Sequence, residues 1–94
     1  MRENTVEGYF DVRVRASGGD VRKVQWIGRN GAPDKLAGWP SGAHGFVELK
    51  RPHGRAEAHQ AREHTAWRAM GLRVDIVATL AEVDDYVERM TNGH

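Results

Sequence analysis

Glu48 and Lys50 stand two residues apart in the stretch Phe46-Val47-Glu48-Leu49-Lys50. On an extended strand that spacing puts both side chains on one face, while Val47 and Leu49 point to the other and can reach a core. By itself the pair reads equally as a surface ion pair, which contributes little. Asp34 lies 14 positions before Glu48. If the strands carrying the two acids are adjacent and antiparallel, the start of one lies opposite the end of the other, and Asp34 comes close to Glu48 and Lys50. Two converging carboxylates repel each other unless a cation sits between them. Hard oxygen ligands of this kind suit Mg²⁺ or Mn²⁺. A cation there would neutralise phosphate charge and lower the pKa of a bound water, as phosphodiester cleavage requires. Lys50 can orient that water or stabilise the charge of a pentavalent transition state.

The elements that must position these residues follow from periodicity. Val6, Phe10 and Val14 recur at i, i+4, i+8, which predicts a helix over 3–16, capped by Asn4 or Thr5. Gly8 weakens that helix, so packing or close approach of another chain has to justify it. Ser17-Gly18-Gly19-Asp20 is a turn, and Val21 to Ile27 reads as a strand. Asp34 to Trp39 and Phe46 to Lys50 follow as strands, the second ended by Pro52 and Gly54. Glu57 to Met70 reads as a helix stopped by Gly71. Leu72 to Ala78 alternates, with Leu72, Val74, Ile76 and Ala78 on its apolar side. Thr79-Leu80-Ala81-Glu82 is a capping box opening a last helix that buries Val83, Tyr86, Val87 and Met90. The order α-β-β-β-α-β-α gives a small mixed sheet flanked by helices.

At 94 residues the chain is expected to be one domain spanning 1–94, with a thin stability margin. It has no cysteine, so disulfides and thiolate zinc sites are excluded. Neither a signal peptide nor a membrane-length apolar run is present, so an intracellular, cytoplasmic location is expected. Residues 1–73 hold 13 Lys/Arg against 8 Asp/Glu, whereas residues 74–94 hold one Arg against five acids. Eleven of the 14 basic residues are Arg, the side chain suited to bidentate phosphate contact.

The surroundings of the acids are more specific. Pro33-Asp34 followed by Glu48-Leu49-Lys50 resembles the PD-(D/E)XK nuclease motif. Gly28-Arg29-Asn30-Gly31-Ala32-Pro33-Asp34-Lys35-Leu36, then Phe46 to Gly54, then Gln60, then Met70-Gly71-Leu72-Arg73-Val74 resembles the virus-type replication-repair nuclease domain, VRR-NUC, in its small stand-alone phage form. The likeness runs from the first helix through Val83. It implies a restriction-endonuclease-like α/β fold and Mg²⁺- or Mn²⁺-dependent hydrolysis of DNA. Branched substrates such as Holliday junctions or flaps are implied, with a homodimer to act on them. It also implies metal ligands at Glu7 (or Glu3, one turn earlier), Asp34, Glu48 and the Leu49 carbonyl, with Lys50 assisting the attacking water. Gln60 supports the site or touches nucleic acid, and Lys23 can reach the site from the first strand. One departure is that the helix after Gln60 carries His64, Thr65, Trp67 and Met70 in place of a leucine run.

Other readings carry less. His59 and His64 are five apart, about 140° around a helix, and share no face, while His-Glu-x-x-His is absent. The histidines are expected at the surface or against phosphate. Gly28 to Gly31 lacks the ending of a P-loop, which leaves no nucleotide cofactor to expect. Trp26 and Trp67 are expected in the core, and Phe10, Tyr9 and Trp39 in a dimer contact. The rival to an enzyme is a nucleic-acid-binding module of the same fold without turnover.

Overall fold

The computed structural model describes residues 5–28, 32–50 and 58–92 of the chain, without the side chains of Ala58 and His59. Three helices and four strands follow in the expected order. They are α1 (Thr5–Ala16), β1 (Asp20–Lys23), β2 (Lys35–Gly38), β3 (His44–Leu49), α2 (Ala58–Ala69), β4 (Val74–Val77) and α3 (Leu80–Asn92). The strands form one sheet in the order β1-β2-β3-β4. β1, β2 and β3 are an antiparallel meander, and β4 joins β3 in parallel after α2 has crossed over. This mixed sheet between helices is the expected α/β architecture.

The apolar stripes do what their spacing predicts. Val6, Phe10 and Val14 of α1 meet Val83, Tyr86, Val87 and Met90 of α3 on one face of the sheet, over Val21, Ala37, Val47 and Val77. Phe10 and Tyr86 stack tilted at 5.6 Å. Tyr9 Oη and Arg13 Nε both donate to Asp84 Oδ1, at 2.6 and 2.9 Å, and tie the two helices at their rim. Both α1 and α2 end in a Schellman motif. Gly18 and Gly71 take φ of +97° and +87°, and the next amide reaches back to Val14 O and Trp67 O, respectively. α3 starts on the predicted capping box. Thr79 Oγ1 accepts from the Glu82 amide at 3.1 Å, and Glu82 Oε1 accepts from the Ala78 and Thr79 amides at 2.7 and 3.2 Å.

Several expectations are corrected. β1 stops at Lys23 rather than Ile27, because the chain turns away to put Trp26 under α2. There Trp26, Phe46 and Trp67 form a second aromatic cluster, with centroids 4.8 to 6.5 Å apart, outside the main core. β4 does not bury one side only. Val74 faces α2 with Phe46, Val77 faces α1 and α3 with Leu49, and Ile76 is 42% exposed. With helices against part of each face, β4 has no wholly dry side to set against a wholly wet one. Phe10 and Trp39, expected at a dimer contact, are buried within the chain, Trp39 donating to Ser17 Oγ at 2.9 Å. Gly8 is exposed, and a Cβ there would meet nothing in this chain. Among the described residues no helix is long and apolar enough to cross a membrane.

Candidate active site

Strand pairing decides which acids meet. Lys35 lies opposite Val47, so Asp34, one residue earlier, lies opposite Glu48, one residue later. The Val24 amide donates to Asp34 O at 2.8 Å and extends the β1–β2 ladder past the last strand residue, which fixes the Asp34 backbone. Side chains alternate along β3, so Glu48 and Phe46 face α2 while Val47 faces the main core.

Glu48 is 9% exposed, an unusual setting for a carboxylate. Its surroundings come from both β3 and α2. Lys50 Nζ stands 3.5 Å from Glu48 Oε2 and donates to Gln60 Oε1 at 2.6 Å. His64 Nε2 stands 3.8 Å from the other oxygen, Glu48 Oε1. Burial pushes the Glu48 carboxyl above its ordinary range, the Asp34 charge adds to that rise, and Lys50 works against it. An open hollow lined by Lys23, Val24, Gln25, Trp26, Ala32 and Asp34 lies beside the acids.

These donors fit a hard divalent cation. The like charges of Asp34 and Glu48 repel each other, a repulsion that a cation between them would turn to attraction. Glu48 Oε1 is buried and accepts no hydrogen bond from the described residues. The Leu49 carbonyl is next along the chain, at the end of β3. Among the described residues no three His, Asp or Glu side chains come together as a metal cluster.

Asp34, Glu48, Lys50 and Gln60 therefore share one face of the sheet. Glu7 is placed elsewhere. Its Oε2 lies 2.8 Å from Lys35 Nζ, and Asp11 Oδ1 lies 3.3 Å from the same nitrogen. Lys35 is 5% exposed and points with Val47 toward α1, the opposite face from Glu48. The Lys35 hydrogen bond holds the Glu7 carboxyl below its ordinary range, with Lys23 adding to the effect from β1. Burial acts to lower Lys35, and the two acids outweigh it. Glu3, the alternative helix carboxylate, lies outside the described residues, as do Pro52 and Gly54.

No family model matches the sequence. Two comparisons do find relatives. One is the protein named "Putative nuclease p44" of Acyrthosiphon pisum secondary endosymbiont phage 1, 36% identical over 77 residues, covering 82% of this chain and 83% of that protein. The other is a solved structure described as a VRR_NUC domain, 40% identical, with a TM-score of 0.83 over 92% of this chain and 94% of its own. The chain belongs to the VRR-NUC family. Its restriction-endonuclease-like core is the VRR-NUC fold, at nearly full length on both sides.

Within this VRR-NUC domain the structure adds residues the sequence reading did not assign. His64, expected at the surface or against phosphate, is 1% exposed under Glu48, and Glu63 is 8% exposed and accepts from Trp67 Nε1 at 2.8 Å. The signal was present in the spacing. Gln60, Glu63, His64 and Trp67 stand at i, i+3, i+4 and i+7, the inner stripe of α2, although three of the four are polar. His59, the other helix histidine weighed above, has no described side chain.

Proposed function

We propose that this VRR-NUC domain is a Mg²⁺- or Mn²⁺-dependent DNA endonuclease that prefers branched DNA, such as Holliday junctions or flaps, and acts as a homodimer. The observation that carries the reading is the grouping of Asp34, Glu48 and Lys50 on one sheet face, with Lys50 Nζ held between Glu48 and Gln60. Asp34, Glu48 and the Leu49 carbonyl would hold the cation. When bound, the cation supplies charge neutralisation at the phosphate and lowers the pKa of a water beside it. The chain's own residues do the rest. Lys50, steered by its Gln60 hydrogen bond, orients the attacking water and meets charge that develops on the phosphate. Glu7, the helix acid that the family resemblance implies, pairs with Lys35 on the opposite sheet face and is given no ligand role in this reading. The half of the sheet face that α2 leaves open carries Arg22, Leu36 and His44 around a hollow and gives DNA an approach to the acids.

The branched-substrate and dimer parts rest on size and on the resemblance to small stand-alone phage forms of the family. Specific DNA interfaces bury about 1,000 Å² or more, a large share of a domain this small. Two subunits double the footprint and present one site to each of two strands. The test is a panel of labelled duplex, flap, splayed-arm and four-way-junction DNA with each cation. Faster cleavage of the junction or flap than of the duplex is expected. Binding of all four without any cleavage would turn the reading to a nucleic-acid-binding module.

A further inference from the structure

We propose that His64 is a positioning residue, its Nε2 orienting the Glu48 carboxylate from α2. The inference rests on the nuclease reading of the site. The two oxygens of Glu48 are divided between two elements. Oε2 faces Lys50, just past the end of its own strand, at 3.5 Å, and Oε1 faces His64 Nε2 at 3.8 Å. A side-chain adjustment of about 0.6 Å brings the second contact within the upper hydrogen-bonding limit of roughly 3.2 Å. His64 is 1% exposed, so packing rather than solvent fixes the ring. Burying an imidazole where a leucine would fill the same stripe is unfavourable unless its polar atoms have polar neighbours.

Gln60 and His64 stand four apart on the inner face of α2. One helix thus holds Lys50 through Gln60 and Glu48 through His64, and docks both ends of the Glu-x-Lys pair together. Partners behind a metal-binding carboxylate orient it, and their loss commonly weakens metal binding about 10- to 100-fold. His64 does not touch substrate in this scheme and acts through Glu48.

The test uses the full chain and three proteins beside wild type: His64→Phe, His64→Gln and Glu48→Gln. Mn²⁺ alone is titrated by calorimetry, cleavage is resolved into kcat and KM, and long-range ¹H–¹⁵N NMR reads the His64 ring in wild type. The expected result for His64→Phe is a loss of Mn²⁺ affinity of about 10- to 100-fold, with kcat falling more than KM rises and melting within a few degrees of wild type. His64→Gln, whose amide nitrogen can stand near the Nε2 position, should recover most of the affinity. The wild-type ring should carry hydrogen on Nε2 and shift in Glu48→Gln. Full affinity and kcat in His64→Phe, or no recovery in His64→Gln, would overturn the proposal. Should His64→Phe not fold, a wild-type Nε2 without hydrogen would overturn it equally. If wild type binds Mn²⁺ through Glu48 but His64→Phe binds as well, only this proposal fails. If wild type neither binds Mn²⁺ nor cuts DNA, the nuclease reading fails and this one with it.

Discussion

Glu48, a metal-binding acid in the proposed site, is an acid that folding disfavours. Burial, then the Asp34 charge, raise its carboxyl above the ordinary 4.5, with Lys50 partly offsetting both. An acid raised on folding binds its proton more tightly in the native chain than in the unfolded one. Its contribution to stability therefore declines as pH rises from that ordinary value through the folded one. Glu48→Gln removes the decline. The metal-free variant is expected to melt at or a few degrees above wild type at neutral pH, with the difference vanishing below the ordinary carboxylate range. Scanning calorimetry across pH checks this, and a variant that melts well below wild type at neutral pH contradicts it. Lys50 differs in kind in the proposed mechanism, where it acts on water and is not a ligand. Lys50→Ala is expected to lower kcat at least 100-fold, on the order of a strong electrostatic contribution, while Mn²⁺ affinity by calorimetry changes less than threefold. A collapse of affinity instead would make Lys50 an ion-pair strut.

At the scale of elements, caps and turns fix where the strands and helices begin, and so where the site residues fall. Thr79 caps α3 through the Glu82 amide, and Thr79→Ala is expected to destabilise the fold by about 1 kcal/mol. Urea unfolding measures that, with activity at low temperature unchanged because α3 lies on the face away from Glu48. The capping box, the two glycine stops and the opposition of Asp34 to Glu48 were legible in the sequence, because each depends on neighbours or on one short turn. Which sheet face a helix packs against depends on distant contacts. For that reason Glu7 was expected beside Asp34 and lies on Lys35, and a buried lysine between two helix acids left no local trace. His64 was hidden differently. Its position on the inner stripe was readable, but a polar residue there breaks the apolar pattern by which such stripes are recognised. Ile76 and Val77 show the same limit, since alternation assigns faces only when one side is wet.

For the whole molecule, small size argues for a second subunit, placed so that the open half-face beside the acids is left to DNA. Light scattering at micromolar concentration is expected to give twice the chain mass, and a monomer mass would remove the homodimer. Phe10 and Trp39 lie in the core, so a contact would use other surface, and among the described residues Val12, Ile27, Met70, Ile76 and Leu80 are the large apolar side chains exposed to it. Given a dimer, a four-way junction labelled on two opposed strands should be cut in both. The central claim is that Asp34 and Glu48 form the metal-binding acids of a nuclease. Its most direct test is nicking of supercoiled plasmid by wild type, Asp34→Asn and Glu48→Gln, with Mg²⁺ or Mn²⁺ and again with chelator. Wild type is expected to nick the plasmid, chelator to abolish the nicking, and neither variant to nick although both fold. Undiminished nicking by a folded Asp34→Asn or Glu48→Gln protein, or by wild type in chelator, would contradict it.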